Sequence, residues 1–136
     1  SVMIDNSIHS SIQKGFVALV GFQPDDSDED LAFMVRKITN IRIFDDEKGA
    51  LNKSISDISG DILLVPNFTL AADTTRGNRP GFSTAMPPDI AKPMFEKFVD
   101  DVSSVYTKVA SGVFGADMKV SLTNDGPITI SLASKK

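Results

Sequence analysis

Apolar and polar positions divide the chain into short blocks with two different periods. Ser1 to Ile12 alternate weakly about Asp5-Asn6, which predicts a polar hairpin. Phe16-Val17-Ala18-Leu19-Val20 is an unbroken apolar run ended by Gly21, the pattern of a buried strand. The period then changes. Leu31, Met34, Val35 and Ile38 recur at i, i+3, i+4 and i+7, and Ser27 is placed to cap the helix they imply. Asp28, Glu29 and Asp30 fill its first turn, where the helix dipole favours acids. Ile41-Arg42-Ile43-Phe44 reads as a strand closed by the turn Asp45-Asp46-Glu47-Lys48-Gly49. Ile62-Leu63-Leu64-Val65 is the most hydrophobic short strand, and Pro66 ends it because proline has no amide to donate.

A polar loop bearing Gly and Pro runs from about Asp73 to Pro88. A second helix follows from about Asp89 to Tyr106, with Ile90, Met94, Phe98, Val102 and Val105 as its apolar face and Phe95 beside them. The last third reads as strands at Val109 to Phe114, Lys119 to Leu122 and Ile128 to Leu132. Repeats and low-complexity stretches are absent. Many strands, two helices and short connections predict one α+β domain spanning residues 1–136. Its expected form is a largely antiparallel β-sheet, barrel-like or layered, with the two helices packed on it.

Composition narrows the function classes. At 136 residues and 41% hydrophobic the chain suits one globular domain with a real core. No apolar run approaches the roughly 18–20 residues of a membrane span, and no signal-peptide pattern is visible. Zero Cys excludes disulfides and thiolate chemistry and fits a reducing, cytoplasmic compartment. A single His with no Cys argues against zinc, so no metal or cofactor is expected. The net charge of -4 leans against nucleic acid, yet Asp25, Asp26, Asp28, Glu29 and Asp30 form one block and leave the basic groups free to cluster elsewhere.

Most single features have an ordinary explanation. Asp26-x-Asp28-x-Asp30 has the opening spacing of a calcium loop, but the required Gly is Leu31 and the required Glu is Lys37, so a solvated helix start is preferred. His9 has no nearby Asp and Ser with which to build a triad. Arg76-Gly77-Asn78-Arg79-Pro80 is the one compact basic loop, equally an exposed turn or a phosphate contact. Thr69 and Asn67 sit where the core strand emerges, on the rim of a rigid sheet where active-site groups are often found. Asn124-Asp125-Gly126-Pro127 separates two predicted strands, although a hairpin turn does not want proline next.

Taken together these segments carry more. Asn67-Phe68-Thr69-Leu70, Ala72-Asp73-Thr74 with Arg76 to Pro80, Gly112 to Met118, and Asn124-Asp125-Gly126-Pro127-Ile128-Thr129 resemble the D-aminoacyl-tRNA deacylases in order and spacing. The resemblance covers essentially the whole chain. It implies hydrolysis of the ester joining a D-amino acid to tRNA, with tRNA as partner, no cofactor, no membrane and a homodimeric enzyme. Two motifs form the site in that family. One falls here on Pro66, Asn67, Phe68 and Thr69, the other on Asn124, Gly126, Pro127 and Thr129. The family's Gly-Pro bond is cis and enters the partner subunit's active site.

Chemically, the Gly126 and Pro127 carbonyls turned the same way would hold the substrate ammonium and leave room only for hydrogen on one side of Cα. An L-residue is then rejected by its Cβ, whatever its side chain. The Phe68 and Thr69 amides are the candidate oxyanion donors, and Thr69 is the nucleophile or the group that orients water. No resident base is evident, which leaves a role for the tRNA 2′-hydroxyl. Arg76 and Arg79 are candidate tRNA contacts.

This sequence departs from the family pattern at Pro66-Asn67, where Ser-Gln is usual. A related animal branch acting on L-alanyl-tRNA carries Pro at that serine, whereas Phe68 and Thr129 favour the D-specific branch. The alternatives are therefore an L-alanyl- or glycyl-tRNA editor and a catalytically impaired RNA- or protein-binding relative. The resemblance also implies a family strand ahead of Ser1, carrying an arginine that braces the Gly-Pro segment.

Overall fold

The computed structural model describes residues 1–135. The chain opens with a hairpin of β1 (Val2–Ile4) and β2 (Ser7–Ser10), turned by Asp5 and Asn6 at φ of 51° and 64°. Positive φ at two successive residues gives the turn whose twist matches paired strands, and Asn and Asp tolerate it. Next come β3 (Gly15–Val20), α1 (Asp28–Asn40) and the short pair β4 (Phe44–Asp45) and β5 (Leu51–Lys53). β6 (Asp61–Pro66) leads into a single 3-10 turn, Phe68–Ala71. After the loop come α2 (Pro88–Val105), β7 (Val109–Ser111) and β8 (Lys119–Val120).

Three layers result. The middle one is a parallel sheet in the order β3-β6-β7. On one face both helices pack: Leu31, Val35 and Ile38 of α1 and Ala91, Phe95, Phe98 and Val102 of α2 share a core with Ile62 and Leu64. On the other face Leu63 and Val65 meet Val2 of the antiparallel sheet β2-β1-β8. Successive strand residues point to opposite faces, and here both faces are covered. That is why Ile62-Leu63-Leu64-Val65 is apolar without interruption. Each such side chain contributes about 1.5–3 kcal/mol on full burial.

The first helix is bounded as expected. Asp30 Oδ2 accepts the Ser27 amide at 2.8 Å, the reciprocal half of a capping box. Four expectations need correction. The sheet is not largely antiparallel, because its central three strands run parallel with a helix in each crossover, and no sheet closes into a barrel among the described residues. In α2 the apolar face is rotated: Ile90 and Val105 are 52% and 62% exposed, while Ala91 and Phe95 turn inward. Burying the larger aromatic surfaces of Phe95 and Phe98 outweighs burying Ile90. The strand expected at Ile41 to Phe44 is reduced to Phe44–Asp45, paired with the unanticipated β5. Finally, the stretches toward Phe114 and Leu122 leave their ladders early, and Ile128 to Leu132 is unpaired among the described residues. Alternating apolar residues make a strand only where an edge is within reach.

Candidate active site

Ligand sites of parallel sheets lie beyond the carboxyl ends of the strands. At that edge β3 and β6 finish side by side, Val20 opposite Pro66, and the Asn67 amide donates to the Val20 carbonyl at 2.7 Å. The chain then turns at once into Phe68–Ala71. Gly21 makes this possible, since a Cβ there would sit 3.1 Å from both the Asn67 carbonyl oxygen and the Leu70 Cβ. Pro66 is buried as the floor of the site, and its Cδ would lie 3.3 Å from a Cβ at Gly112.

Thr69 is exposed on this turn, and its hydroxyl donates to Asn67 Oδ1 at 2.6 Å. The bond orients the hydroxyl and leaves its oxygen able to accept a hydrogen bond. Asn67 is a neutral amide and accepts the proton's hydrogen bond without removing the proton. The turn bonds its Leu70 amide to the Asn67 carbonyl at 3.2 Å and the Ala72 amide to Thr69 at 3.2 Å. The Phe68 and Thr69 amides come before the first bonded amide of the turn, and among the described residues they have no acceptor. Two free donors and an oriented hydroxyl thus share one exposed corner.

The basic loop is fastened to this corner. Asp73 and Gly81 exchange amide hydrogen bonds of 2.8 and 2.9 Å, closing the tip that carries Arg76 and Arg79. Asp73 also accepts the Thr75 hydroxyl at 2.6 Å and the Thr75 amide at 3.0 Å, which hold its carboxyl below the usual range. Asp73 is therefore a staple of the loop. Below the tip, the Phe82 ring meets Phe68 edge-on at 5.1 Å, and the Thr84 hydroxyl donates to the Ala71 carbonyl. Sequence reasoning missed Phe82 and Thr84. The only hint was an aromatic residue isolated within a polar loop.

The second motif forms its own closed turn. Asn124 donates through Nδ2 to Thr129 Oγ1 at 2.8 Å and accepts the Ile128 amide on Oδ1 at 2.9 Å. Between these staples the Gly126-Pro127 bond is cis, and both residues lie exposed at the tip. Gly126 has φ of +136°, a conformation that L side chains rarely adopt. No hydrogen bond among the described residues joins this tip to Thr69 of the same chain. The structure therefore ties residues 66–69 to the loop that carries Arg76 and Arg79, and closes residues 124–129 into a turn of their own. Among the described residues no cluster of metal-binding side chains occurs, and no helix is long and apolar enough to cross a membrane.

Residues 1–133 match the family model described as D-Tyr-tRNA(Tyr) deacylase. The chain is 53% identical to a D-aminoacyl-tRNA deacylase of Chlorobaculum tepidum, over all of this chain and 91% of that protein. Among solved structures it resembles the c-Myc DNA unwinding element binding protein, with a TM-score of 0.95 and 38% identity over the whole chain and 93% of the other. It also resembles a probable eukaryotic D-amino acid tRNA deacylase, with a TM-score of 0.71 and 16% identity over 87% of this chain and 86% of that one, a likeness of fold.

Proposed function

Because the chain belongs to the D-Tyr-tRNA(Tyr) deacylase family, we propose that it hydrolyses D-aminoacyl-tRNA, returning free D-amino acid and tRNA. Water adds to the ester carbonyl, the bond to the ribose oxygen breaks, and the terminal hydroxyl of the tRNA is regenerated. The observation that carries the chemistry is the Thr69 hydroxyl held by Asn67 beside the two free amides of Phe68 and Thr69.

The amides receive the oxyanion. Donors fixed in advance at the point where negative charge develops are worth more than donors that must reorganise. The Thr69 oxygen, with its proton turned toward Asn67, accepts from and orients the attacking water, or the 2′-hydroxyl of the substrate itself. An aminoacyl ester beside its own ammonium is already labile, so positioning supplies much of the acceleration. Asn67 here takes the place of the usual glutamine and still reaches Thr69 at 2.6 Å, which favours an active enzyme over an impaired relative.

Chirality is assigned to the exposed tip. The Gly126 and Pro127 carbonyls accept the α-ammonium, and a methyl on the wrong side of Cα collides with them. Gly126 and Pro127 are exposed at the tip and no hydrogen bond among the described residues ties it to Thr69, which leaves it free to enter the partner subunit's site in a homodimer. An enzyme acting on charged tRNA works where translation does, which supports a cytoplasmic location.

The direct test is release of D-tyrosine or D-aspartate from charged tRNA, with L-tyrosyl- and L-alanyl-tRNA as controls. Equal rates on both hands would remove the chiral assignment, and fast hydrolysis of L-alanyl-tRNA would move the enzyme to the animal branch. The arginine loop gives a second prediction. Arg76→Ala with Arg79→Ala weakens tRNA binding and makes the plot of log affinity against log salt shallower by roughly one to two units, one for each phosphate that is no longer neutralised. An unaltered slope in filter binding across salt concentrations means the loop meets no phosphate.

A further inference from the structure

The densest ionic cluster of the described residues lies outside this site. The Lys135 ammonium is 2.7 Å from Asp26 Oδ1, 3.0 Å from Asp30 Oδ2 and 3.5 Å from Asp25 Oδ1. The Asp26 and Asp30 side chains are only 12% and 16% exposed. Both are already fixed by the backbone: Asp26 Oδ2 accepts the Gln23 amide at 2.7 Å and Asp30 Oδ2 the Ser27 amide at 2.8 Å. The lysine therefore grips a rigid loop and helix cap. The Ser27 amide first, and Lys135 after it, hold the Asp30 carboxyl down at about 2.

Within one chain the segment that ends in this grip has little else to hold it. Its last ladder link is the pair of bonds between Ser1 and Ser121, at 2.8 and 3.0 Å. Beyond Ser121 the hydrogen bonds among the described residues are those that close the Asn124–Thr129 turn on itself and, at the end of the segment, those of Lys135 to Asp26 and of Ser134 and Lys135 to Asp30. Leu132 then lies along α1 in a groove with Phe33 and Ile41, and Lys135 reaches the far end of the helix. The tip that carries Gly126-Pro127 thus sits on a strap tied at Ser121 and at Lys135.

We propose that Lys135 is a positioning residue: by tying the strap to the start of α1 it restricts the range over which the Asn124–Thr129 tip moves, and so sets how sharply D- and L-substrates are told apart. This rests on the deacylase reading above. Telling a hydrogen from a methyl at Cα requires carbonyls held to a fraction of an ångström, and a misplacement of about 1 Å costs up to a hundredfold in such sites. Exposed ion pairs contribute little to global stability. The effect is therefore local, on the strap.

The test compares the full chain with Lys135→Gln and Lys135→Arg at low ionic strength, by hydrogen exchange of residues 122–132 and by rates on D- and L-tyrosyl-tRNA. Lys135→Gln is expected to speed exchange in the strap alone. It is also expected to raise KM for the D-substrate and lower the D-to-L ratio about tenfold, with kcat on the D-substrate kept. Lys135→Arg restores both, and in the wild type salt near 1 M speeds strap exchange as the glutamine variant does, because it screens the clasp. Unchanged exchange overturns the tether. Faster exchange with an unchanged D-to-L ratio overturns the positioning role, as does a loss spread over the whole chain with a lowered melting temperature. If the wild type hydrolyses neither substrate, the deacylase reading fails instead, and strap exchange still decides whether Lys135 holds it.

Discussion

Thr69→Ala is expected to slow hydrolysis of D-tyrosyl-tRNA by about a hundred- to a thousandfold, the range seen when one preorganised polar group is removed from a reacting centre. The hydroxyl is exposed and its one hydrogen bond, to Asn67, is to a neighbour on the same turn, so the fold does not depend on it. The melting temperature should stay within error of the wild type. KM should change little, because the ammonium and the tRNA are held elsewhere. Thr69→Ser keeps the oxygen and its bond to Asn67 and should retain most of the rate. The free amides of Phe68 and Thr69 survive in every variant, so the residual activity of Thr69→Ala measures what they supply alone. Single-turnover assays separate this loss of chemistry from slow product release. An unchanged rate would take the hydroxyl out of the mechanism.

Gly15→Ala acts at the opposite end of the same two strands, and its large effect falls on stability. Gly15 pairs with Asp61 where β3 and β6 begin, and a Cβ there would stand 1.8 Å from the Asp61 carbonyl oxygen and 2.6 Å from its amide nitrogen. Those atoms are backbone and cannot swing aside. The Asp61 amide is also bonded to the Lys14 carbonyl at 2.9 Å, and its carboxylate accepts the Gln13 amide at 2.9 Å, so relief breaks further bonds. Forced overpacking costs about 1–3 kcal/mol and more where backbone must move. An expected loss of about 3 kcal/mol lowers the melting temperature by roughly 10 °C for a domain of this size. Urea unfolding should show a lower midpoint with an unchanged slope. Below its new midpoint the variant should keep the wild-type kcat, since Thr69 lies beyond the other end of the strands. A shift of only a degree or two would mean the close approach at Gly15 is absent.

The contrast between these two residues parallels what was legible in the chain. Thr69, Asn67 and the Asn124–Thr129 motif stood out through the resemblance to the deacylases' motifs, and each makes its hydrogen bonds within a few residues of itself. The Ser27 cap and the inward stripe Leu31, Val35 and Ile38 were legible from local type and spacing. Phe82 and Thr84 were not, since nothing near them in sequence says that their loop folds back on Phe68 and Ala71.

By itself the sequence determined that there would be a buried strand at Ile62 to Val65, two helices at their approximate places, and a chain resembling the deacylases throughout. The strand and helices follow from periodicity and local chemistry, and the resemblance from the order of the motifs; both read the same whatever lies across the strand. Only the tertiary structure decided that β3, β6 and β7 run parallel, that Phe95 and not Ile90 faces the core, and that Lys135 closes on Asp26 and Asp30. Strand direction, the rotation of a helix and an ion pair between distant parts of a chain each depend on which remote surfaces meet. An unbroken apolar strand satisfies a parallel and an antiparallel neighbour alike, and the choice falls to the helices that must be buried in the crossovers.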